Sequence, residues 1–458
     1  MTEEFKGKRI LVAGLGKSGK AAFDALVKAG AAPDVFDDRD IEKDEPAFYA
    51  KLLTAGAGCF LDGKPVPDEN RDYVIMSPGV PPLIYFAEKA RARGAEVIGE
   101  IELAWRLGRG KYAAITGTNG KTTTTTLVGE IFKAAGRKTV VAGNIGTPVV
   151  SESTRADEDT WLVTEVSSFQ LETIKEFRPK IAAILNLTPD HMDRHVNMDN
   201  YAAAKARIFE NQEADDVFVY NADDELTASL AYGARSRHIP FSRTKELEYG
   251  AFALGGTIVF ADTDSFVNVI RADELQIPGG HNLENALAAT AMAFAAGIAP
   301  EVIADTLRSF KGVEHRLEFV AEIDGVRFVN DSKGTNPDAG IKAIEAVGEN
   351  ILLIAGGYDK SADFTEYIRA ASGRVKKFLL LGATAEKVRA CALAEGFSEE
   401  DVLTAGSMEK AVAAGAELAE EGDTVLLSPA CASWDMYADY EERGRDFKAR
   451  VAGLKEKS

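Results

Sequence analysis

The sequence predicts an α/β protein of three domains with mostly parallel sheets. Short β-branched runs alternate with Ala-rich helical stretches, which is the pattern of parallel strands joined by helices that cover both faces of a sheet. The length of 458 residues, at roughly 150 residues per domain, allows about three domains. Boundaries are predicted near Gly99, after a first sheet of about four strands, and near Gly312. The predicted domains are therefore 1–99, 100–312 and 313–458.

Strands of the first two domains are predicted at 9–13, 34–36, 73–76, 112–115, 139–141, 161–163, 181–185 and 217–220. A different pattern covers 249–270, where alternation, a Gly-Gly turn and a Thr-Asp turn predict small antiparallel hairpins. Strands resume at 326–330, 351–355, 378–381 and 424–427, which gives the last domain three further α/β units.

Composition excludes several classes of protein. Lys plus Arg is 53 and Asp plus Glu is 72, so the net charge of −19 would repel a nucleic acid. The three cysteines, Cys59, Cys391 and Cys431, are far apart and predict neither a disulfide framework nor a zinc cluster. No apolar export or anchor segment is evident. We expect a cytoplasmic protein without a membrane partner.

The sharpest motif follows the predicted strand at 112–115. There Gly117-Thr118-Asn119-Gly120-Lys121-Thr122-Thr123 turns from the strand into a helix. Such a turn points N–H groups at a phosphate, while the lysine neutralises charge and the threonine hydroxyl can ligate Mg²⁺. The spacing departs from the strict Gly-x-x-x-x-Gly-Lys-Ser/Thr form because Ile115 stands at its first position. An incidental strand–helix turn is the alternative, but the flanking elements favour a phosphate loop.

A second glycine-rich turn, Gly14-Leu15-Gly16-Lys17-Ser18-Gly19, follows the first strand, and Asp37, Asp38 and Arg39 follow the second. This arrangement is the dinucleotide fingerprint, yet the same geometry serves any nucleotide diphosphate at a helix N-terminus. From the residues alone, NAD, a nucleotide-linked substrate and a merely tight turn all stay open, and we favour the nucleotide-linked substrate. Ser77-Pro78-Gly79 adds another turn at the edge where such ligands bind.

Candidate metal ligands follow two central strands. Glu165 follows the strand at 161–163, and His191 follows the strand at 181–185 together with Asp190. A carboxylate and an imidazole at this edge could hold Mg²⁺ against an oxygen of ATP, although a lone histidine is more often structural. Lys205 lies on an Ala-rich helix, and its spacing supports a solvated lysine and a functional one equally.

Polar loops also follow the strands of the last domain. They contain His315-Arg316, the run Asn-Asp-Ser-Lys-Gly-Thr-Asn-Pro at 330–337, and Gly-Gly-Tyr-Asp-Lys at 356–360. These side chains suit anionic ligands and developing charge, with a plain polar turn as the alternative. The small residues at 428–433 let a ligand approach the backbone. Cys431 is predicted to be a small buried residue, because no histidine lies near it in sequence to act as a base.

Together these residues resemble the Mur ligases, the ATP-dependent amide ligases that build the peptidoglycan peptide. The resemblance spans nearly the whole chain through GLGKSG, SPGVP, GTNGKTT, GNIG, EVSSFQLE, LTPDHMDRH, YAAAKARIF, GGHNLENALAA, EHRLE, NDSKGTN, GGYDKSADF and SPACASWDMY. SSFQLE, DHMDRH and SPACAS favour the branch that adds D-glutamate. The resemblance implies a Rossmann-like UDP-binding domain, a central P-loop-type ATPase domain with a mostly parallel sheet and small antiparallel hairpins, and a C-terminal Rossmann-like domain that binds the amino acid.

The resemblance implies addition of D-glutamate to UDP-N-acetylmuramoyl-L-alanine through an acyl phosphate. It also implies that the reaction uses ATP, two Mg²⁺ ions and a carbamylated Lys205. The implied catalytic residues are Lys121, His191, Lys205, Asp331 and Lys333. The implied ATP contacts are Gly117, Thr118, Asn119, Gly120, Lys121, Thr122, Thr123, Asn285, Arg316 and Asp331. The implied UDP-substrate contacts are Gly14, Lys17, Ser18, Asp37, Arg39, Ser77, Pro78, Gly79, Asn144 and His191. The implied D-glutamate contacts are Thr335, Lys360, Ser433 and Tyr440, and the implied metal ligands are Thr122, Glu165, His191 and Lys205.

On this basis the first glycine-rich turn is a UDP site rather than an NAD site. Asp359 directly precedes Lys360, whereas some relatives have an aspartate one position earlier, so Asp359 has no assigned role. Lys17 replaces an apolar residue common at that turn. We expect a monomer whose third domain closes to assemble the site. The competing hypotheses are a sister ligase that adds another amino acid, an oxidoreductase that uses a nicotinamide nucleotide, and a noncatalytic nucleotide-binding regulator.

Overall fold

The computed structural model describes residues 3–81, 83–262, 265–277, 279–360 and 362–455. The described strands form three sheets of five, nine and six strands, and helices connect most of the parallel strands. The predicted α/β class is confirmed, because strands of four to six residues buried along their length must be covered by helices on both faces. The predicted turn at 263–264 lies outside the described residues.

The first sheet is wholly parallel, in the order β3-β2-β1-β4-β5. Its strands are β1 (Ile10–Ala13), β2 (Asp34–Asp37), β3 (Cys59–Leu61), β4 (Tyr73–Met76) and β5 (Glu96–Gly99). Its helices are α1 (Lys17–Lys28), α2 (Ile41–Asp44), α3 (Pro46–Thr54) and α4 (Tyr85–Ala92), and α5 (Glu100–Leu107) follows β5 directly. The prediction of about four strands was one too low, and neither β3 nor β5 was among the predicted strands. Strand β3 is only three residues long, and two of them are half-buried.

The second sheet has the order β14-β13-β12-β11-β10-β9-β6-β8-β7. Its strands are β6 (Lys111–Thr116), β7 (Thr139–Gly143), β8 (Trp161–Glu165), β9 (Ile181–Ile184), β10 (Val217–Asn221), β11 (Arg237–Ser242), β12 (Gly250–Leu254), β13 (Thr257–Asp262) and β14 (Ser265–Arg271). The helices in this part are α6 (Lys121–Ala134), α7 (Val149–Ser153), α8 (Ser168–Leu171), α9 (Met192–His195), α10 (Met198–Ala206), α11 (Glu225–Ala231), α12 (Gly280–Ala295) and α13 (Pro300–Ser309). Strand β11 was not among the predicted strands, and the predicted hairpin strands β12 to β14 extend the sheet from it.

The third sheet has the order β15-β16-β20-β17-β18-β19, and only the β15–β16 pair is antiparallel. Its strands are β15 (Glu318–Ile323), β16 (Val326–Asn330), β17 (Ile351–Gly356), β18 (Val375–Leu381), β19 (Val402–Thr404) and β20 (Thr424–Leu427). Its helices are α14 (Pro337–Val347), α15 (Thr365–Ala371), α16 (Ala385–Ala394), α17 (Met408–Leu418) and α18 (Tyr440–Lys455). Because β16, β17 and β20 are parallel neighbours, the loops that follow them emerge at one edge.

The described chain packs as two compact units. One unit contains the first two sheets and comprises Met1–Leu187, Asn197–Glu274 and Glu284–Arg308. The other contains the third sheet and comprises Thr188–Val196, Leu275–Leu283 and Ser309–Ser458. The boundaries near Gly99 and Gly312 stay predictions. None of the described helices is long and apolar enough to cross a membrane.

Candidate active site

The turn after β1 lies at the switch point of the first sheet, where β2 and β4 flank β1. Ligands of open α/β sheets bind at such a position. Gly14 adopts a φ of +85°, and a Cβ there would lie 2.7 Å from a methyl carbon of Val80. A Cβ on Gly19 would lie 1.7 Å from the Gly14 carbonyl oxygen, to which the Ser77 hydroxyl donates at 2.7 Å. The turn therefore needs both glycines in order to pack against the loop after β4.

Asp37 stabilises the same turn from the end of β2. One carboxylate oxygen accepts the Leu15 N–H at 2.6 Å, and the other accepts Nε of Arg39 at 2.9 Å. Burial raises the pKa of Asp37, but the hydrogen bonds from Arg39 and Leu15 outweigh burial and hold that pKa below its usual value. Both oxygens thus serve the turn. This use differs from the role of the acidic residue that binds a ribose in the dinucleotide fingerprint.

Helix α1 continues from this turn with polar groups that are at least partly exposed. It begins at Lys17, no side chain caps its first turn, Lys17 is exposed and Ser18 is half-buried. A Cβ on Gly79 would meet no atom within 4 Å, so the backbone of the loop after β4 is open to solvent or a ligand at this position. Free N–H groups at a helix N-terminus and a nearby ammonium favour a phosphate ligand. The predicted UDP contacts of this sheet thus share its carboxyl edge.

The phosphate loop follows β6, the strand with β8 and β9 on either side. Gly120 has a φ of +82°, and a Cβ there would lie 2.2 Å from the side-chain oxygen of Asn285. That oxygen accepts the Thr124 hydroxyl at 3.2 Å. Asn186 also binds the loop, because its side chain accepts a hydrogen bond from the Asn119 N–H at 2.8 Å and donates one to the Asn119 carbonyl at 3.1 Å. Asn186 was not among the predicted site residues, and its only signal in the sequence is its place just after β9.

Lys121 folds back over its own loop. Its ammonium donates to the carbonyls of Gly117 at 2.9 Å and Thr118 at 2.7 Å. Thr118, Thr122 and Thr123 are buried. The ammonium therefore lies over the loop whose backbone N–H groups would bind a triphosphate. A phosphate oxygen could replace the two carbonyls as the acceptor of the ammonium.

Thr122 and Glu165 form a buried oxygen pair beside the loop. The Thr122 hydroxyl donates to one Glu165 oxygen at 2.7 Å, and the Asn144 amide donates to the other at 2.9 Å. Glu165 is the last residue of β8, so the parallel pairing of β6 and β8 brings it to the loop. A hydroxyl and a carboxylate are ligands that suit Mg²⁺, so these two residues fit a magnesium site.

Lys205 is buried, with 1% of its surface exposed. Its ammonium donates to the Gly117 carbonyl at 2.8 Å and to the Thr116 hydroxyl at 3.3 Å, and it lies 4.7 Å from the centre of the Tyr201 ring. Of the two alternatives that the spacing left open for Lys205, the solvated lysine is therefore excluded, and a functional role stays a prediction. Helix α10 carries it from an Ala-rich face into the phosphate loop, because alanines leave room for a close approach.

His191 belongs to the unit of the third sheet, whereas Glu165 belongs to the other unit. The φ of His191 is +55°, in the left-handed region, and its Nε2 lies 3.7 Å from an oxygen of Asp190. Asp190 also accepts the Asn336 amide at 3.1 Å and lies 3.8 Å from the Lys360 ammonium. Asp190 therefore ties the His191 segment to the loops after β16 and β17. The prediction that His191 joins Glu165 at a metal stays a prediction.

A cavity of about 390 Å³ opens at this edge of the third sheet. His191, Thr335, Tyr358 and Lys360 are among its lining residues. The other two predicted D-glutamate contacts, Ser433 and Tyr440, are not among its described lining residues. Ser433 is buried next to Ala432, which pairs with Tyr358, and the Tyr440 hydroxyl accepts the Lys333 ammonium at 3.1 Å.

Asp331 is fully buried below the loop after β16. It accepts the Ser428 hydroxyl at 2.9 Å and a guanidinium nitrogen of Arg316 at 3.4 Å. Burial raises the pKa of Asp331, and the Arg316 charge partly opposes this rise. Cys431 is 3% exposed, and burial raises the pKa of its thiol to about 11. The prediction that Cys431 is buried is confirmed, and such a thiol is a poor nucleophile at neutral pH.

Two family models match the chain, one over most of the second sheet and its helices and one over most of the third. The Mur ligase middle domain matches residues 115–293, and the Mur ligase glutamate ligase domain matches residues 315–431. The chain belongs to the Mur ligase family. Members of this family use ATP, and the three sheets are those of the three-domain fold of a Mur ligase.

Several Mur ligases are similar along their full length. The UDP-N-acetylmuramoylalanine–D-glutamate ligases of Thermoanaerobacter sp. and Pelotomaculum thermopropionicum are 50% and 52% identical, and each alignment covers 99% of this chain and 100% of the relative. A relative of the same name from Clostridioides difficile is 47% identical, with 99% and 100% covered. The solved UDP-N-acetylmuramate–alanine ligase of Thermotoga maritima shares the fold with a TM-score of 0.59 at 19% identity, covering 98% of this chain and 100% of that chain.

Proposed function

We propose that the chain joins D-glutamate to UDP-N-acetylmuramoyl-L-alanine in the cytoplasm and converts ATP to ADP and phosphate. The observation that carries this proposal is the 50% identity, over essentially the full length, with a ligase named for this reaction. The geometry supports it, because one unit offers a phosphate loop with a buried Thr122–Glu165 pair and the other offers a cavity lined by Lys360 and Thr335.

The first step activates the substrate carboxylate. The γ-phosphoryl group of ATP passes to a carboxylate oxygen of the muramoyl-alanine, giving an acyl phosphate and ADP. Lys121 turns from the carbonyls of Gly117 and Thr118 to the phosphate oxygens and neutralises their charge. Thr122 and Glu165 hold Mg²⁺, which supplies further charge neutralisation when bound. Asn144 orients Glu165 and lies in the loop that we assign to the muramoyl substrate.

A carbamylated Lys205 is supported by the charges around it. The ammonium groups of Lys121 and Lys205 both donate to the Gly117 carbonyl, at 2.9 Å and 2.8 Å. Two cations that share one acceptor repel each other. Carbamylation converts Lys205 into an anion, so the repulsion becomes attraction and an oxygen ligand for a cation is gained.

The second step forms the amide. The amine of D-glutamate, once deprotonated, attacks the acyl phosphate carbonyl, and phosphate leaves from the tetrahedral oxyanion. Lys360, Thr335, Ser433 and Tyr440 bind D-glutamate in this proposal. His191, Asp331 and Lys333 are the candidates for proton transfer or charge stabilisation. Asn285 and the phosphate loop bind the nucleotide in this proposal, and Arg316 and Asp331 are assigned to the same ligand.

The test is phosphate release from ATP and Mg²⁺ with UDP-N-acetylmuramoyl-L-alanine, comparing D-glutamate with L-glutamate, L-alanine, L-lysine and meso-diaminopimelate. We expect turnover with D-glutamate alone. Turnover with another amino acid or precursor would assign the chain to a sister reaction. No turnover with any combination would overturn the proposed reaction.

A further inference from the structure

Arg443 is buried on α18, with 3% of its surface exposed, between two loops of the candidate amino-acid site. Its guanidinium donates to the Ser332 carbonyl at 2.7 Å and to the Ser332 hydroxyl at 3.0 Å. It also donates to the carbonyls of Cys431 at 3.1 Å and Ala432 at 3.2 Å. One side chain thus joins the loop after β16 to the loop after β20. Arg443 was not among the predicted site residues.

The charge of Arg443 lacks a direct counter-charge in the described part of the unit. Burial lowers the pKa of its guanidinium to about 10, so the group remains charged at neutral pH. None of the described carboxylates forms an ion pair with it. Carbonyl and hydroxyl oxygens satisfy its N–H groups but carry no full negative charge, so a buried positive charge remains beneath the site.

The accepting carbonyls belong to peptide groups of the site itself. The Ala432 carbonyl shares its peptide group with the N–H of Ser433, and the Ser332 carbonyl shares its peptide group with the N–H of Lys333. A hydrogen bond from a charged donor polarises a peptide group and strengthens the donor at its other end. Arg443 therefore acts on the backbone N–H of Ser433 without reaching the cavity itself, whereas the N–H of Lys333 already donates to the His315 carbonyl at 3.0 Å.

We propose that Arg443 is a positioning residue for D-glutamate, which holds the loops at Ser332 and at Ala432 together and supplies positive charge beneath the two substrate carboxylates. This inference rests on the proposed function. D-Glutamate carries two carboxylates, so it needs more positive charge than Lys360 provides, because Lys360 already lies 3.8 Å from Asp190. The buried guanidinium meets that need and loses no side-chain freedom when the substrate binds.

The test compares the wild type with Arg443→Lys, which keeps the charge but cannot bond all four oxygens. Arg445→Lys is the matched control, because Arg445 lies on the same helix and is exposed. We expect KM for D-glutamate to rise at least about tenfold in Arg443→Lys, with KM for ATP and for the UDP-substrate changed less than about twofold. Arg445→Lys should match the wild type.

Unchanged KM for D-glutamate in a folded Arg443→Lys enzyme would overturn the inference. A parallel loss for all three substrates would also overturn it, since that pattern indicates a general structural role. If Arg443→Lys does not fold, Ser332→Ala keeps the guanidinium and removes one of its acceptors, together with the hydrogen bond that the Ser332 hydroxyl donates to the Tyr440 carbonyl at 2.8 Å. A selective rise of KM for D-glutamate in Ser332→Ala supports the inference, and no rise overturns it. An inactive wild type would instead mean that the proposed function fails.

Discussion

The turn after β1 and the turn after β6 both lead a buried strand into a helix N-terminus, yet they carry their charges differently. In the first turn a carboxylate, Asp37, bonds the backbone from outside, and Lys17 extends to solvent. In the second, Lys121 and Lys205 both fold onto the Gly117 carbonyl. The first turn is set for recognition, because its geometry is complete without a ligand. The second is set for chemistry, because the Lys121 ammonium donates to backbone carbonyls that a phosphate oxygen can replace as its acceptor.

Lys121→Ala should give the largest effect, and it should impair the second turn without impairing the first. We expect kcat to fall by about 10³-fold or more, since the charge that stabilises phosphoryl transfer is lost, while binding of the UDP-substrate at the first turn is retained. Lys133→Ala is the control, because Lys133 is exposed on the same helix and pairs with Glu130. Phosphate release and direct binding of the UDP-substrate would be measured. Retained activity would contradict the assignment of ATP to the second turn.

Lys205→Ala should also reduce activity, by about 10²-fold or more, if Lys205 acts as a carbamate. A short carboxylate added to the assay should restore part of that activity by occupying the vacated space. The same carboxylate should not restore Lys121→Ala, because an anion cannot replace an ammonium. Absence of any restoration, or equal restoration of both variants, would argue against the carbamate.

Both turns could be predicted from sequence because their glycines are dictated by backbone geometry. Gly14 and Gly120 have a positive φ, and a Cβ at either position would lie too close to neighbouring atoms. Both positions therefore require glycine, and the glycine spacing can be recognised in the sequence. The strand–helix alternation was also predictable, because it depends on residues that are neighbours in sequence. Strands β3 and β19 are only three residues long, which is too short for such a pattern to be recognised.

Contacts between distant segments could not be predicted. The burial of Lys205 depends on how α10 packs on the phosphate loop, and Arg443 reaches Ser332 across 111 residues of chain. Neither side chain has a spacing that distinguishes it from an exposed helical cation. The resemblance to a family suggested a role for Lys205, and only the folded chain revealed Arg443.

Gly19→Ala should disrupt the first turn alone. A Cβ at Gly19 would lie 1.7 Å from the Gly14 carbonyl oxygen, so the backbone must shift, and we expect a loss of about 1–3 kcal/mol in the free energy of unfolding together with weaker UDP-substrate binding. Gly16→Ala is the matched control in the same turn, because a Cβ there meets no atom within 4 Å. Denaturant unfolding would measure both variants. Equal stability of the two variants would show that the turn tolerates the displacement.

Asp37→Asn should give the smallest effect and a pH dependence of known sign. The folded-state pKa of Asp37 is lowered from 3.8, so its carboxylate stabilises the fold above that pH, and this contribution is lost as the pH falls through the lowered pKa. We expect the wild type to exceed Asp37→Asn by about 1 kcal/mol at neutral pH. The difference should shrink below about pH 4, because protonation leaves the wild-type carboxyl as neutral as the amide. Unfolding measured from neutral pH to about pH 3 would test the sign, and a difference that grows on acidification would mean that Asp37 does not stabilise the first turn as a carboxylate.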